Sequence, residues 1–226
     1  MNEITLLERT RMKDLLKRVK TQMVGNPLYA DEIQAIFQEQ LDPLGVEVTT
    51  YPYGDDIGRN QITANGYFDA TELELEEELD IDAVLVDIEL VLILNSEDDP
   101  ITINNKDWKF LEHQVKQTLE HEMIHREQAK KRIGADFMPI YNQHMDEEQK
   151  RIVYLSDPDE IDAYANDVAL DLLLHYTYMG AYARLREYKQ IRQEESPIFC
   201  EYVDTFGWNS ETVHIIVKKA LKRLET

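Results

Sequence analysis

The sequence predicts an α+β fold that is mainly helical, with a small mixed sheet placed between two helical regions. Apolar residues recur at helical spacing in the first 45 residues and again after residue 105. Between these regions, β-branched and aromatic residues are concentrated in short stretches that are typical of strands. A chain of 226 residues can bury its own core, so we expect a single domain built from 1–104, 105–180 and 181–226.

The N-terminal part is predicted to contain two helices followed by three strands. Proline and glycine near residues 43–45 end the second helix, after which the composition changes to that of strands. The third strand, VDIELVLILN, is apolar on both of its faces, so we expect other elements to cover it on both sides. In chain order, the predicted elements cover 3–23, 26–43, 46–53, 61–68 and 86–95.

The remainder of the chain is predicted to be helical almost to its end. A long helix begins near Asp107, which is available as its N-cap, and ends before a break that contains glycine and proline. Asp157 or the serine before it can cap a second long helix, with Pro158 in the first turn. A short helix and an interruption between two closing helices are expected at 145–154 and 206–210.

The composition is strongly acidic and includes a single cysteine. Lysine and arginine total 24 against 45 acidic residues, which gives a formal net charge of −21. Such a surface repels phosphate backbones and anionic lipids, so we expect binding neither to nucleic acid nor to membranes. Cys200 stands alone, which excludes an internal disulfide and suits a reducing compartment. Without a legible signal peptide or membrane span, we expect a soluble, cytoplasmic protein that is not secreted.

The stretch LEHEMIHREQ (119–128) contains the pattern H-E-x-x-H at His121, Glu122 and His125. Residues four apart lie on the same face of a helix, so both imidazoles can reach one metal ion. Glu122 is rotated by about 100° from His121 and can reach beside that ion, where it can accept a proton from water. The apolar residues of this helix turn the motif toward the core, where unpaired polar groups are costly and a metal ion would offset the cost.

A catalytic zinc site needs three protein ligands and one open position for water. No third histidine follows His125 at the spacing of the extended H-E-x-x-H-x-x-G-x-x-H pattern. The stretch DPDEIDAYANDVA supplies Glu160, in the first turn of the next long helix. Asp162 and His144 are alternative third ligands. Asp162 lies roughly 200° from Glu160 around the helix, so the carboxylates of Asp162 and Glu160 cannot both face one ion. We expect one Zn²⁺ per chain, held by His121, His125 and a third ligand, for which Glu160 is the first candidate.

An H-E-x-x-H motif followed by a glutamate on the next long helix resembles the gluzincin group of zinc metallopeptidases, in particular its compact, minimal members. The third-ligand motif of that group often reads N-E-x-x-S-D, and here the stretch reads DEIDAY (159–164). The glutamate is kept, alanine replaces serine, and Tyr164 stands where an aspartate would orient a histidine. The resemblance covers roughly 85–175. It implies a zincin-like fold, with the small sheet packed on the H-E-x-x-H helix and on a second helix that carries Glu160.

The resemblance also implies further site residues. Tyr164 and Asp167 lie on the same helix face as Glu160 and are candidates for orienting the metal ligands. His144 is a candidate for stabilising the transition state, as a histidine or tyrosine does in larger gluzincins, and Tyr141, Tyr154 and Tyr164 are alternatives for the same role. In gluzincins an edge strand before the active-site helix commonly pairs with extended peptide. The strand expected to do so here is the third one, marked by Ile88, Leu90 and Leu92.

These residues imply a zinc metallopeptidase that hydrolyses peptide bonds, with a zinc-activated water and Glu122 as the general base. Its partner would be a peptide or protein substrate. The stretches HEMIHREQ and SDPDEIDAYA also resemble small proteins of tailed bacteriophages. That likeness implies a protein of the host-cell cytoplasm or of the virion, where we expect self-association or binding to virion proteins.

Two other classes of function stay open. A structural or assembly protein, for example of a phage particle, could retain the same zinc site for folding rather than for catalysis. A zinc-free interaction domain could use the acidic run 72–82 to bind a basic partner. The simpler interpretation of that run is a solvated connection that keeps the protein soluble.

Overall fold

The computed structural model describes residues 6–51, 61–68, 88–95, 99–131 and 145–225. It is mainly helical with a small mixed sheet, which confirms the predicted α+β class. The chain divides into two compact units, Met1–Ala135 and Asp136–Thr226, so the division falls inside the part predicted as 105–180. None of the described helices is long and apolar enough to cross a membrane.

In its described residues, the first unit contains three α-helices and two small sheets. The predicted end of the second helix is confirmed: the chain enters a short 3-10 turn, Asp42–Leu44, and Gly45 then adopts a left-handed φ of 67°. Two paired strands of two residues each were not predicted, because such short strands carry no periodic signal. In chain order the elements are α1 (Leu6–Met23), β1 (Pro27–Leu28), α2 (Ala30–Leu41), β2 (Val46–Tyr51), β3 (Ile62–Phe68), β4 (Ile88–Leu94), β5 (Ile101–Thr102) and α3 (Asn105–Lys131).

The larger sheet has the strand order β2-β4-β3. Strand β4 runs parallel to β2 and antiparallel to β3, and all seven of its residues pair with β3. Alternate side chains of β4 are fully buried, at 0% exposure, while those between them are half-buried. Each fully buried aliphatic side chain contributes about 1.5–3 kcal/mol, so β4 anchors the sheet in the core. The fully buried residues are Ile88, Leu90, Leu92 and Leu94.

The two outer edges of this sheet differ. Along β2, the side-chain amide of Gln38 donates to the Val46 carbonyl (3.1 Å) and accepts from the Val48 N–H (2.7 Å). Gln38 therefore satisfies backbone groups of β2 that a further strand would otherwise pair with. No described strand pairs with the outer edge of β3.

Helix α3 packs one face against β3 and β4. Its N-cap is Asn104, whose Oδ1 accepts from the N–H groups of Lys106 (2.8 Å) and Asp107 (3.0 Å), so the prediction of Asp107 as N-cap was wrong. Asp107 lies in the first turn, and its Oδ2 accepts from Asn104 Nδ2 at 2.6 Å. The buried face of α3 includes Trp108, Leu111, Val115, Leu119 and Met123.

The regular elements that the structure describes in the second unit are all helices. Asp157 caps its longest helix by accepting from the Asp159 N–H at 2.8 Å, and Pro158 occupies the first turn, as predicted. This helix packs against the other helices of the unit around buried aromatic and aliphatic side chains. The elements are α4 (Glu147–Ser156), α5 (Pro158–His175), α6 (Tyr178–Arg186), α7 (Pro197–Phe206) and α8 (Glu211–Leu224), the last two separated at the predicted interruption.

The buried carboxylate of Glu195 stabilises the segment before α7 through several hydrogen bonds. It is 2% exposed, and it accepts hydrogen bonds from Arg184 Nη2 (2.8 Å), the Arg192 N–H (2.8 Å) and the Tyr176 hydroxyl. Burial alone would raise the pKa of Glu195, but these donors outweigh that effect and lower the pKa to about 2. Glu195 therefore stays ionised and stabilises this part of the unit at neutral pH.

Candidate metal centre

His121 and His125 lie one turn apart on α3. Their Nε2 atoms are 3.1 Å apart, and the rings meet edge to face with centroids 4.8 Å apart. His121 is 8% exposed and His125 is half-buried, so the motif does face inward, as predicted. Two nitrogen ligands of one tetrahedral zinc ion, each at about 2.0–2.1 Å, lie about 3.3 Å apart. The observed separation is close to that value.

Gln128 determines which nitrogen of His125 carries the proton. The Nδ1 atom of His125 lies 2.8 Å from Gln128 Oε1. Because a carbonyl oxygen can only accept, Nδ1 must be the donor, and the neutral imidazole keeps a lone pair on Nε2. That lone pair is directed toward His121, where a metal ligand needs it. Gln128 is 4% exposed, which protects this hydrogen bond from water.

Glu122, the predicted general base, is buried against strand β3. It is 9% exposed. A Cβ atom built on Gly66 would lie 2.9 Å from Glu122 Cγ and 3.3 Å from Glu122 Oε1. The Glu122 side chain therefore occupies space that any residue larger than glycine would take at this position of β3.

Glu160 lies in the first turn of α5, where the positive end of the helix dipole favours a carboxylate. Tyr154 of α4 hydrogen-bonds to this carboxylate, and the hydroxyl of Tyr164 lies 3.3 Å from that of Tyr154. An ionised carboxylate only accepts, so the Tyr154 proton is donated to Glu160 and Tyr164 donates to the Tyr154 oxygen. Burial raises the pKa of Tyr154 far above its ordinary value, and Tyr164 and the charge of Glu160 raise it further. The Tyr154 hydroxyl consequently remains a donor.

The two Nε2 atoms on α3 can serve as two ligands of one metal ion, and Glu160, the predicted third ligand, belongs to the other compact unit. The side chains of His121, His125 and Glu160 are of the kinds that bind metal ions. Two imidazoles and one carboxylate are the protein ligands of one class of catalytic zinc site. The donor set fits zinc and also fits other divalent transition metals, because imidazole binds several of them.

The two rival third ligands have different outcomes. Asp162 is 7% exposed and lies against α8, where its carboxylate accepts from Lys219 Nζ (2.9 Å) and Arg223 Nη2 (3.2 Å). Two cationic partners hold this carboxylate, so Asp162 is a structural residue of the second unit. His144 lies outside the described residues.

The remaining predicted site residues of the second unit lie beside Glu160. Burial raises the pKa of Tyr164, the hydrogen bond with Tyr154 lowers it, and the negative charges of Glu160 and Asp167 raise it further. Asp167 is 5% exposed. The structure thus brings Tyr154, Tyr164 and Asp167 together with Glu160, and it is Tyr154 that hydrogen-bonds to the Glu160 carboxylate.

The predicted substrate-pairing strand was wrong. Ile88, Leu90 and Leu92 belong to β4, the central strand, whose two backbone edges are already paired with β2 and β3. Strand β4 therefore has no backbone groups to offer to a peptide. Strands β2 and β3 each have an outer edge with no described pairing strand, and β3 contacts α3.

Two residues of the site were not predicted from the sequence. Gln128 follows His125 by three residues, so its position on the same helix face was a signal that could have been used. Gly66 within a predicted strand indicated a close approach of another element, but the sequence alone does not show which one.

The gluzincin resemblance was drawn from the H-E-x-x-H motif and from Glu160. The case for a function therefore depends on the geometry of these residues in this chain. No protein-family model, no curated protein and no solved structure matches the chain.

Proposed function

We propose that this protein is a zinc-dependent peptidase with a zincin-like fold, in which His121, His125 and Glu160 hold one Zn²⁺ per chain. The observation that carries the proposal is the 3.1 Å separation of the two histidine Nε2 atoms on α3, which is close to the spacing of two nitrogen ligands of one zinc ion. The lone pair that Gln128 leaves on His125 Nε2 supports it further. Three protein ligands leave a fourth position for water, as catalysis requires.

When bound, a zinc ion supplies Lewis acidity, which polarises a carbonyl group and lowers the pKa of a water molecule toward neutrality. Glu122 accepts a proton from the attacking water and later donates it to the leaving nitrogen. The peptide C–N bond is broken, one water molecule is consumed, and Glu122 ends in its original ionised form. Tyr154 holds the Glu160 carboxylate in position through its hydrogen bond.

The substrate class that fits this arrangement is an extended peptide segment. Such a segment can bind by adding a strand to an open sheet edge, with main-chain hydrogen bonds that depend little on side-chain identity. In this chain we assign the pairing with substrate to the outer edge of β3, because β3 also contacts Glu122 through Gly66.

The metal site is tested by measuring zinc in protein purified without chelators. We expect about one zinc per chain in the wild type and in Glu122→Gln, and a loss of most zinc in His121→Ala and in Glu160→Ala. His175→Ala is a matched control, because His175 is an exposed residue of α5 outside the site. Full zinc content in both ligand variants would overturn the proposed site.

Catalysis is tested with a mixture of quenched fluorescent peptides. The wild type should cleave some of them, and Glu122→Gln should lose 10²-fold or more of that activity while keeping its zinc. Equal cleavage by Glu122→Gln would overturn the mechanism. A wild type that holds zinc and unfolds on chelation, but cleaves no peptide, would favour the structural alternative.

A further inference from the structure

Gly66 lies in the middle of strand β3, opposite Leu90 of the central strand. Its φ lies outside the left-handed region, unlike those of Gly25, Gly45 and Gly207, so the backbone conformation does not require glycine there. The reason for glycine must therefore be steric. Glycine within a strand otherwise weakens it, which makes a specific contact the simplest explanation.

The contact is with α3, and it involves two side chains. A Cβ atom on Gly66 would lie 2.4 Å from Thr118 Cγ2 and 2.9 Å from Glu122 Cγ. Ordinary van der Waals contact begins at 3.4 Å, so an alanine would force Thr118 away by about 1 Å and Glu122 by about 0.5 Å. The next nearest atom is a carboxylate oxygen of Glu122, at 3.3 Å.

We propose that Gly66 is a positioning residue for the general base: its missing side chain is the space in which the Glu122 carboxylate is held. This inference rests on the proposed function, because it concerns the same site. Strand β3 fixes the Glu122 side chain from one side, and α3 fixes its backbone from the other. A carboxylate displaced by a fraction of an ångström loses its alignment with the water that it deprotonates, and misplacements of 1 Å can cost about 10²-fold in rate.

A purely structural role for Gly66 can be distinguished from a positioning role, because the contact with Thr118 can be relieved without relieving the contact with Glu122. Thr118 makes the closer contact, and removing its Cγ2 relieves the main obstacle to the approach of α3 to β3. The contact with Glu122 Cγ at 2.9 Å remains in that background. Stability and catalysis should therefore respond differently to the same second substitution.

The experiment compares Gly66→Ala, Thr118→Ala and the double variant Gly66→Ala/Thr118→Ala with the wild type. Gly66→Ala should lower both the melting temperature and the peptidase rate. The double variant should regain most of the melting temperature and keep its zinc, but its kcat should stay at least about tenfold below that of Thr118→Ala, with KM little changed. Asn65→Ala is the matched control, because Asn65 is an exposed residue on the opposite face of the same strand.

Recovery of both stability and kcat in the double variant would overturn the proposal, and so would a Gly66→Ala variant as active as the wild type. A readout without activity or metal is the ¹³C carboxyl resonance of Glu122 in metal-free, glutamate-labelled protein, assigned by its loss in Glu122→Gln. We expect this resonance to differ between the double variant and Thr118→Ala, and identical resonances would contradict the proposal. If the wild type proves to bind no zinc or to cleave no peptide, the proposed function fails, while this resonance still decides the role of Gly66.

Discussion

Replacing Gln128 tests whether a side-chain amide prepares His125 for a metal. Gln128→Leu keeps the approximate size of the side chain but removes the oxygen that accepts from His125 Nδ1 at 2.8 Å. The His125 imidazole then loses the hydrogen bond that keeps its proton on Nδ1 and its lone pair on Nε2. Loss of such an orienting partner typically weakens metal binding by 10–100-fold. This range corresponds to about 1.4–2.7 kcal/mol of binding free energy.

The opposite change is expected from Gln128→Glu. A carboxylate accepts the same proton more strongly and adds negative charge near the cation, so zinc affinity should rise above that of the wild type. Competition with a chelator of known affinity measures both variants. Gln114→Leu serves as control, because Gln114 is a half-buried glutamine of the same helix outside the site. Unchanged zinc affinity in both Gln128 variants would refute the assignment of the His125 tautomer.

Three further predictions concern the second unit. Tyr154→Phe should weaken zinc binding about tenfold in the same competition assay, because Glu160 loses a hydrogen bond, and Tyr164→Phe should have a smaller effect. Asp162→Asn should lower the free energy of unfolding in urea by about 2–3 kcal/mol, since Lys219 and Arg223 lose a charged partner, but should leave the zinc content unchanged; loss of zinc would identify Asp162 as a ligand. The stabilising effect of Glu195 is fully present above its ordinary pKa of 4.5 and is lost as the pH falls toward about 2. The stability advantage of the wild type over Glu195→Gln should therefore shrink by about 2 kcal/mol between pH 7 and pH 3, and an advantage independent of pH would contradict the lowered pKa.

The parts of the fold that could be predicted from the sequence depend on local interactions. The caps and ends of helices result from contacts within a few residues, so Asp157 and Pro158 correctly marked the start of α5. The same reasoning chose Asp107 as the N-cap of α3, although Asn104 also had the chemistry of a cap and lies at the right distance before the helix. The two histidine candidates could be named for the same reason, since the spacing of His121 and His125 is a local property of one helix.

The order of the strands could not be predicted in this way, because it depends on pairing between distant parts of the chain. One signal was present and was given too little weight. Val91 and Ile93 make β4 apolar on its second face, which is typical of a strand in the interior of a sheet rather than at its edge. The contact of Gly66 with Thr118 and Glu122 was likewise out of reach, because it joins β3 to a helix about 50 positions later.

The unequal edges of the sheet connect these observations to the proposed chemistry. An open edge invites pairing with other chains, and proteins usually cover it. In this chain the amide of Gln38 covers the edge at β2, whereas no described strand pairs with the edge at β3. Strand β3 is also the strand whose glycine accommodates the Glu122 carboxylate. A peptide added to β3 would thus be held by the same strand that positions the proposed base, so substrate binding and proton transfer would share one rigid support.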